Sequence, residues 1–521
     1  MRPDCCFRSE RDKMLGRKSL LMLIQNTVSG IIGYFGLIFI LRYAGLEPYG
    51  IVQFSLSFLG LFSFILDMSF STANIKKISE GMDFDVAITT YFILKIILAM
   101  IFVGVIISYL FIWRYFFNGH FVTPFEEDVI IIMVPYYILQ SFVVYFQSNF
   151  NAKMKAAILS IPRLIESIFR NIMYIVTGYF IARVMIDKNA YSMIIALIMV
   201  ITYGLYVLMF AYYAKDWKFK RPKFEHFKEY YIFAIPLSIS AIFGTIAANF
   251  NNVIIDFFWG PYYVGAYASI LAMITFISAT SGTLSAFILP TLSSMKAIKN
   301  KDYSTTINTM EKYISLAILP IIVFILLFSK QVLNLSTAQL IPFSLIIMVL
   351  SLIVYLNTLN TPYSTHFYAI GKTKFIMYTG IISSSIMIIF DLILVPSMFL
   401  GIHLFGLSAL GAAISNLIAT VVSFIIIRIY VYKSENIIGT KNVLYQLFAA
   451  ILTGLIIYSL KMLHFPTYQW WALILWALLA YLIFFLISRL LKIIDKEDIR
   501  YILEMINPKE MVTYIKEELK R

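Results

Sequence analysis

The chain has 521 residues and a formal net charge of +14; it is 60% hydrophobic and only 13% charged, with a mean hydropathy of +0.84. Soluble domains carry about 25% charged residues, so roughly half that share excludes an ordinary soluble protein. The basic balance raises nucleic acid as a partner, and the placement of the charges along the chain decides against it.

Apolar runs long enough to cross roughly 30 Å of hydrocarbon as helices recur from end to end. In chain order they are 18–41, 49–70, 86–112, 129–150, 157–182, 190–213, 229–255, 263–289, 312–329, 338–358, 375–395, 406–429, 443–460 and 468–488. Only helices and closed barrels satisfy their backbone groups in lipid, and these runs lack the alternation of barrel strands. The expected fold class is therefore an all-α polytopic membrane protein with about 14 transmembrane helices. The first run is too long for a signal sequence and has no small-residue cleavage site after it, so it reads as a retained helix.

With the N-terminus inside, 34 of the 42 Lys and Arg residues fall on the inner side and six on the outer, with Lys95 and Arg170 left within the membrane. That asymmetry is the positive-inside pattern. It places both termini in the cytoplasm, and it assigns the basic charge to topology and anionic membrane lipid rather than to nucleic acid. The two cysteines, Cys5 and Cys6, are adjacent in the N-terminal tail; they imply neither a disulfide framework nor a metal site, and an inert pair is favoured over lipid acylation.

The expected organisation is a tail (1–17), an N-lobe of six spans (18–214), a basic linker (215–228), a C-lobe of six spans (229–432), two appended spans (443–490) and a cytoplasmic amphipathic tail (495–521). Two internal echoes support the lobes. GLEPYG (45–50) and GPYYVG (260–265) each place glycines five residues apart before a span, and Lys-x-Lys recurs in AKMK (152–155) and AIGKTK (369–374). Both pairs are separated by six spans, and an even shift preserves orientation, which makes the repeat parallel, as in one class of transporters.

Enzymatic signals are weak, and no catalytic residue, metal site or cofactor is expected. Asp83-Phe84-Asp85 has the spacing of a metal–sugar-nucleotide motif, but it sits in a short loop without a soluble domain around it. Gly371-Lys372-Thr373 has the end of a phosphate loop, yet His366 stands where that loop needs glycine.

The charges within spans remain. Ionisable residues in a membrane are costly and count as functional candidates by default. In SIPRLIESIFRNIMYIV (160–176), Arg163, Glu166 and Arg170 fall within about 60° of one another on a helix, a single stripe. One reading is a self-neutralising ladder that packs helices. The other, favoured because one positive charge is left over and Pro162 lies close by, is a cationic cavity shared with Lys95, a lone cation on span 3. Arginine suits phosphate through bidentate hydrogen bonding. Asp67, Asp256 and Asp391 are expected near helix ends as interfacial caps.

LRYAGLEPYGIVQFSLSFLGLFSFILD (41–67) resembles the opening signature of the polysaccharide and O-antigen flippases of the multidrug/oligosaccharidyl-lipid/polysaccharide exporter superfamily. Arg42, Gly45, Glu47, Tyr49, Gly50 and Asp67 match, and Ala44 replaces the usual Leu. GPYYVGAYASILAM (260–273, with Gly260 and Gly265), FILPTLSSM (287–295), YAIGKTK (368–374) and GLSALGAAISN (406–416) resemble later motifs of these proteins. Where relatives often carry Asp-Arg before the Gly-Pro turn, this chain has Asn251-Asn252, and no role passes to that pair.

The resemblance implies an alternating-access flippase that carries a polyprenyl (pyro)phosphate-linked oligosaccharide to the outer leaflet of the cell membrane. Arg163, Arg170, Lys95 and Glu166 would face the headgroup, and Pro135, Pro162, Pro236 and Pro362 would supply bends. A Na+ or H+ gradient is the candidate coupling source, and glycan-assembly proteins are candidate partners. The alternatives are an ion-coupled multidrug antiporter of the same superfamily and, from another class, a membrane glycosyltransferase or polymerase.

Overall fold

The computed structural model describes residues 25–26, 28–153, 155–180, 184, 187–275, 303–463 and 466–494. The tail with Cys5 and Cys6, the start of the first span, the 287–295 motif and the 495–521 tail lie outside the described residues. Helix dominates. In chain order the helices are α1 (Val28–Tyr43), α2 (Leu46–Phe62), α3 (Phe70–Ser79), α4 (Phe84–Tyr115), α5 (Pro124–Ala152), α6 (Ala156–Phe180), α7 (Tyr191–Tyr213), α8 (Phe224–Trp259) and α9 (described over 261–275). They continue with α10 (Tyr303–Asn334), α11 (Ser344–Ile370), α12 (Thr373–Leu394), α13 (Ser408–Glu435), α14 (Asn442–Lys461) and α15 (Trp470–Leu490). Among the described residues, eleven helical stretches are long and apolar enough to cross a membrane; the protein is a multi-pass helical membrane protein.

Local chemistry sets the helix ends. Gly45 (φ 101°) starts α2, and Gly371 (φ 82°) ends α11 in the left-handed conformation that glycine adopts without steric cost. Thr123, Pro124 and Glu126 start α5 as a capping box with proline in the first turn. Pro135, Pro162 and Pro362 lie inside α5, α6 and α11. Between α12 and α13 a hairpin pairs Met398 with His403 and Phe399 with Ile402, turning through Leu400 and Gly401, both at positive φ.

The described residues form two compact units. One holds those of Ile24–Phe276 and Thr373–Ser423, which are α1–α9, α12 and the first part of α13. Part of its core is a cluster of Phe70, Tyr91, Leu94, Leu98, Tyr145 and Tyr230. The other holds those of Ile277–Lys372 and Phe424–Arg521, with α10, α11, the rest of α13, α14 and α15. There Phe328, Ile457, Leu473, Trp476 and Ala480 pack together.

Two spans are broken, and a lysine repairs each break. The second span runs from α2 through a 3-10 turn at Ser63–Leu66, reverses its backbone at Met68 (φ 43°) and Ser69 (φ 59°), and resumes as α3. Lys95 Nζ of α4 donates to the freed Leu66 carbonyl at 2.9 Å, joined by Ser141 Oγ at 3.3 Å, while Ser238 Oγ donates to Met68 O at 2.7 Å. In the other unit α10 leaves helical geometry at Phe328. Lys461 Nζ of α14 donates to Leu327 O at 2.7 Å there. Non-helical backbone at membrane depth persists only where such partners replace water.

Candidate functional site

The three charges of α6 do not share one fate. Glu166 is buried and accepts from Arg170 Nε at 2.7 Å, one helical turn on. Glu preceding its cation by four residues is the favourable order on a helix. The same face carries buried Ser167, Asn171 and Tyr174, with Tyr174 and Tyr203 within electrostatic reach of Arg170. Arg163 is exposed and has no ion-pair or hydrogen-bond partner among the described residues. The stripe expected from the sequence thus divides into a half-buried ion pair among tyrosines and, one turn before Glu166, an exposed guanidinium outside any ion pair among the described residues.

Lys95 is not a lone cation. Its ammonium is 1% exposed and lies 2.8 Å from Asp67 Oδ1. Tyr91 donates to the same oxygen at 3.0 Å, and Ser71 donates to Oδ2 at 2.6 Å. Asp67 therefore does not cap a helix at the interface; it closes the interrupted second span together with Lys95. The partners of Lys95 are Asp67, Leu66 and the Tyr91 ring, none of them on α6, so the structure does not join Lys95 to Arg163 and Arg170 in one site. The sequence placed both groups at membrane depth, but a contact across 28 positions of chain is visible only in the fold.

The two glycine echoes meet. A Cβ on Gly50 would come within 1.8 Å of Pro261 O and 2.8 Å of Gly265 N; one on Gly265 would come within 2.0 Å of Leu46 O and 3.2 Å of Gly50 N. The contact is reciprocal: Leu46 and Gly50 of α2 touch Gly265 of α9, while Pro261 and Gly265 touch Gly50. Gly45 and Gly260, just ahead of these two helices, both have positive φ. The resemblance between GLEPYG and GPYYVG is thus a near-symmetric backbone crossing at which nothing larger than glycine fits. Around it, Glu47 accepts from Asn189 Nδ2 at 2.9 Å. Arg42, at the preceding helix end, is exposed.

Asn251 and Asn252 line a cavity of about 280 Å³ with Tyr267, Met387 and Asn416. Asn251 Nδ2 donates to Tyr267 Oη at 2.8 Å and Asn252 Nδ2 to Ser57 Oγ at 2.8 Å, leaving both amide oxygens without donors. Asp391 is fully buried within electrostatic reach of Tyr267 and near Ser415, and neither of its oxygens has a hydrogen-bond donor in geometric range among the described residues.

Sequence reading missed one cluster. In the second unit Glu311 of α10 is buried, accepts from Arg428 Nη2, takes the Tyr363 hydroxyl at 2.6 Å, and meets the Thr440 amide at 3.4 Å. The Arg428 guanidinium lies 3.8 Å above the Tyr363 ring. Both charges fall close enough to the expected span ends to read as loop residues; only the aromatic run around Arg428 hinted at burial. The Asp83-Phe84-Asp85 motif resolves into helix capping and charge pairing: Asp83 accepts from the Asp85 amide at 3.1 Å, and Lys220 reaches Asp83 at 2.7 Å and Asp85 at 3.3 Å.

A family model described as polysaccharide biosynthesis protein matches residues 15–296. No curated protein matches the chain. Among solved structures, the lipid II flippase MurJ in an inward closed conformation aligns over 91% of this chain and 99% of its own, with 16% identity and a TM-score of 0.71. An inward-facing multidrug resistance MATE family transporter of the MOP superfamily aligns over 78% of this chain and 95% of its own, with 19% identity and a TM-score of 0.57. A MOP superfamily transporter from Pyrococcus furiosus, described as having a binding pocket of reversed polarity, aligns over 81% and 95%, with 19% identity and a TM-score of 0.52. The structural likenesses establish the shared fold, and the family match bears out the resemblance drawn from the motifs.

Proposed function

Because the chain belongs to the polysaccharide biosynthesis protein family, we propose that it is a flippase carrying a polyprenyl (pyro)phosphate-linked oligosaccharide from the cytoplasmic to the outer leaflet. The protein works by alternating access in the cell membrane, with both termini in the cytoplasm. The observation that carries the headgroup assignment is Arg163, an exposed guanidinium on α6 with no ion-pair or hydrogen-bond partner among the described residues. An anionic phosphate relieves the cost of holding that cation at membrane depth, and a guanidinium matches it with two parallel donors. Arg170, two turns along the same helix and half-buried, is paired with Glu166 and lends the stripe further donors rather than a free charge. Lys95 leaves the headgroup set, since its charge is spent on Asp67 and Leu66. Coupling to a Na+ or H+ gradient is part of the proposal: Asp391 and the amide oxygens of Asn251 and Asn252 offer bare acceptors to a small cation or proton.

The test places purified protein in sealed liposomes with a fluorescent phosphate-linked polyprenyl oligosaccharide and follows leaflet exchange with an outer quencher, with and without a sodium or proton gradient. Exchange lost in Arg163→Ala, with the variant still folded, supports the assignment. Absence of exchange for every carrier and gradient, with folded protein, points instead to the multidrug antiporter reading.

A further inference from the structure

Beside the glycine crossing stands a second set of charges that the headgroup reading leaves idle. Glu126, in the first turn of α5, is fully buried, and its carboxylate takes three donors: the Val122 amide at 3.0 Å, the Thr123 amide at 3.2 Å and Thr123 Oγ1 at 3.0 Å. Asp256, near the end of α8, is 1% exposed, and its Oδ1 has no donor. Glu126 is the charged group within electrostatic reach of Asp256, and Glu47 of α2 in turn reaches Glu126. Neither Glu126 nor Asp256 has a cationic partner among the described residues. The link to the crossing is direct: Gly260 donates its amide to Asp256 O at 2.8 Å, the Val122 side chain packs on Gly260, and Pro261 touches Gly50.

Three donors suit an ionised Glu126. A second ionised carboxylate near it, buried and with Oδ1 lacking a donor among the described residues, would be an uncompensated buried charge. Neutral Asp256 removes that conflict. We propose that Asp256 is a proton-binding site that holds the crossing of α2 and α9 closed. With the proton bound, the Val122 side chain stays on Gly260 and the 260–265 turn stays on Gly50. When the proton passes to water, two buried like charges lie within electrostatic reach of each other, and hydration relieves them by parting Gly260 from Val122 and loosening the glycine crossing. In the flippase reading this makes proton release one trigger of opening at that end; the site itself is testable without any cargo.

The experiment uses the full chain in nanodiscs, in a Cys5→Ser/Cys6→Ser background with Leu46→Cys as reporter, since Leu46 is 1% exposed at the crossing. Two quantities are read against pH: the infrared carbonyl band of protonated acids, as a wild-type minus Asp256→Asn difference, and the rate of maleimide labelling of the reporter relative to Asp256→Asn at each pH. The neutral amide mimics the protonated state. The expected result is an acid band that disappears on alkalinisation, with labelling rising several-fold over the same interval only when Asp256 is present. Glu126→Gln then moves the loss of the acid band to lower pH and weakens the labelling rise, because the ionised neighbour that disfavours an ionised Asp256 and makes opening the relief of repulsion is gone. An absent difference band, or the same labelling profile in wild type and Asp256→Asn, overturns the proposal. Should Asp256→Asn fail to fold, Glu126→Gln carries the same decision: transitions unchanged by it overturn the proposal. Lipid exchange is not read, so a failure here leaves the flippase assignment standing, and a failure of exchange leaves this site standing.

Discussion

Replacing Lys95 or Asp67 tests whether the ion pair holds the broken second span or serves the transported headgroup. Removing one member of a buried pair costs about 3–5 kcal/mol, because the other charge stays behind uncompensated. The two removals are not equivalent here. In Lys95→Met the stranded Asp67 keeps the Tyr91 and Ser71 donors, its side chain is 31% exposed, and Ser141 still serves Leu66 O. In Asp67→Asn the stranded ammonium is 1% exposed and keeps one carbonyl. Lys95→Met therefore falls near the lower end of that range and Asp67→Asn near the upper. The double variant Lys95→Met/Asp67→Asn, free of charge, recovers most of the loss. Thermal unfolding of purified protein in detergent, followed by tryptophan fluorescence, should rank wild type first, then the double variant, then Lys95→Met, then Asp67→Asn. Two independent, additive losses would refute the pairing argument. A Lys95→Met protein as stable as wild type but devoid of lipid exchange would return Lys95 to the headgroup path.

Gly50→Ala and Gly265→Ala each drive a methyl into a neighbouring backbone, and the expected outcome is loss of monodisperse protein on gel filtration. Gly33→Ala meets nothing within 4 Å and should hold or raise stability by up to about 1 kcal/mol. Arg428→Lys keeps the charge but loses the planar stack on Tyr363, a contact worth about 2 kcal/mol when desolvated; thermal unfolding should register the loss, which Arg428→Lys/Tyr363→Phe should not deepen by the full sum of the single effects. At the linker, the Lys220 ammonium holds the Asp83 carboxyl below its usual range. That attraction is present above the ordinary carboxylate titration and is lost as pH falls through the lowered one. Hydrogen exchange at the Lys220 amide, which donates to Thr89 Oγ1, should rise on acidification after correction for intrinsic rates, and Asp83→Asn should abolish the pH dependence.

The fold class was legible because lipid leaves a chain few choices: apolar runs of spanning length must be helices, and recognising them needs no tertiary information. The glycine echoes were legible as a repeat, since backbone that must approach backbone, or turn through positive φ, admits little but glycine. Helical periodicity put the three charges of α6 on one stripe, but not that Glu166 and Arg170 would pair while Arg163 stands exposed. What the sequence could not supply was pairing. Lys95 looked alone because Asp67 stands on another helix, and Asp67 looked like a cap because nothing local marks a helix broken at Met68 and Ser69. Glu311 and Arg428 looked like loop charges until α10, α11 and α13 enclosed them. Burial and partnership are properties of helices brought together from distant parts of the chain. The sequence by itself therefore determined that this protein crosses the membrane many times and keeps charges there, while only the tertiary structure decided which of them are paired, as Lys95 is with Asp67, and which, as at Arg163, have no ion-pair partner among the described residues.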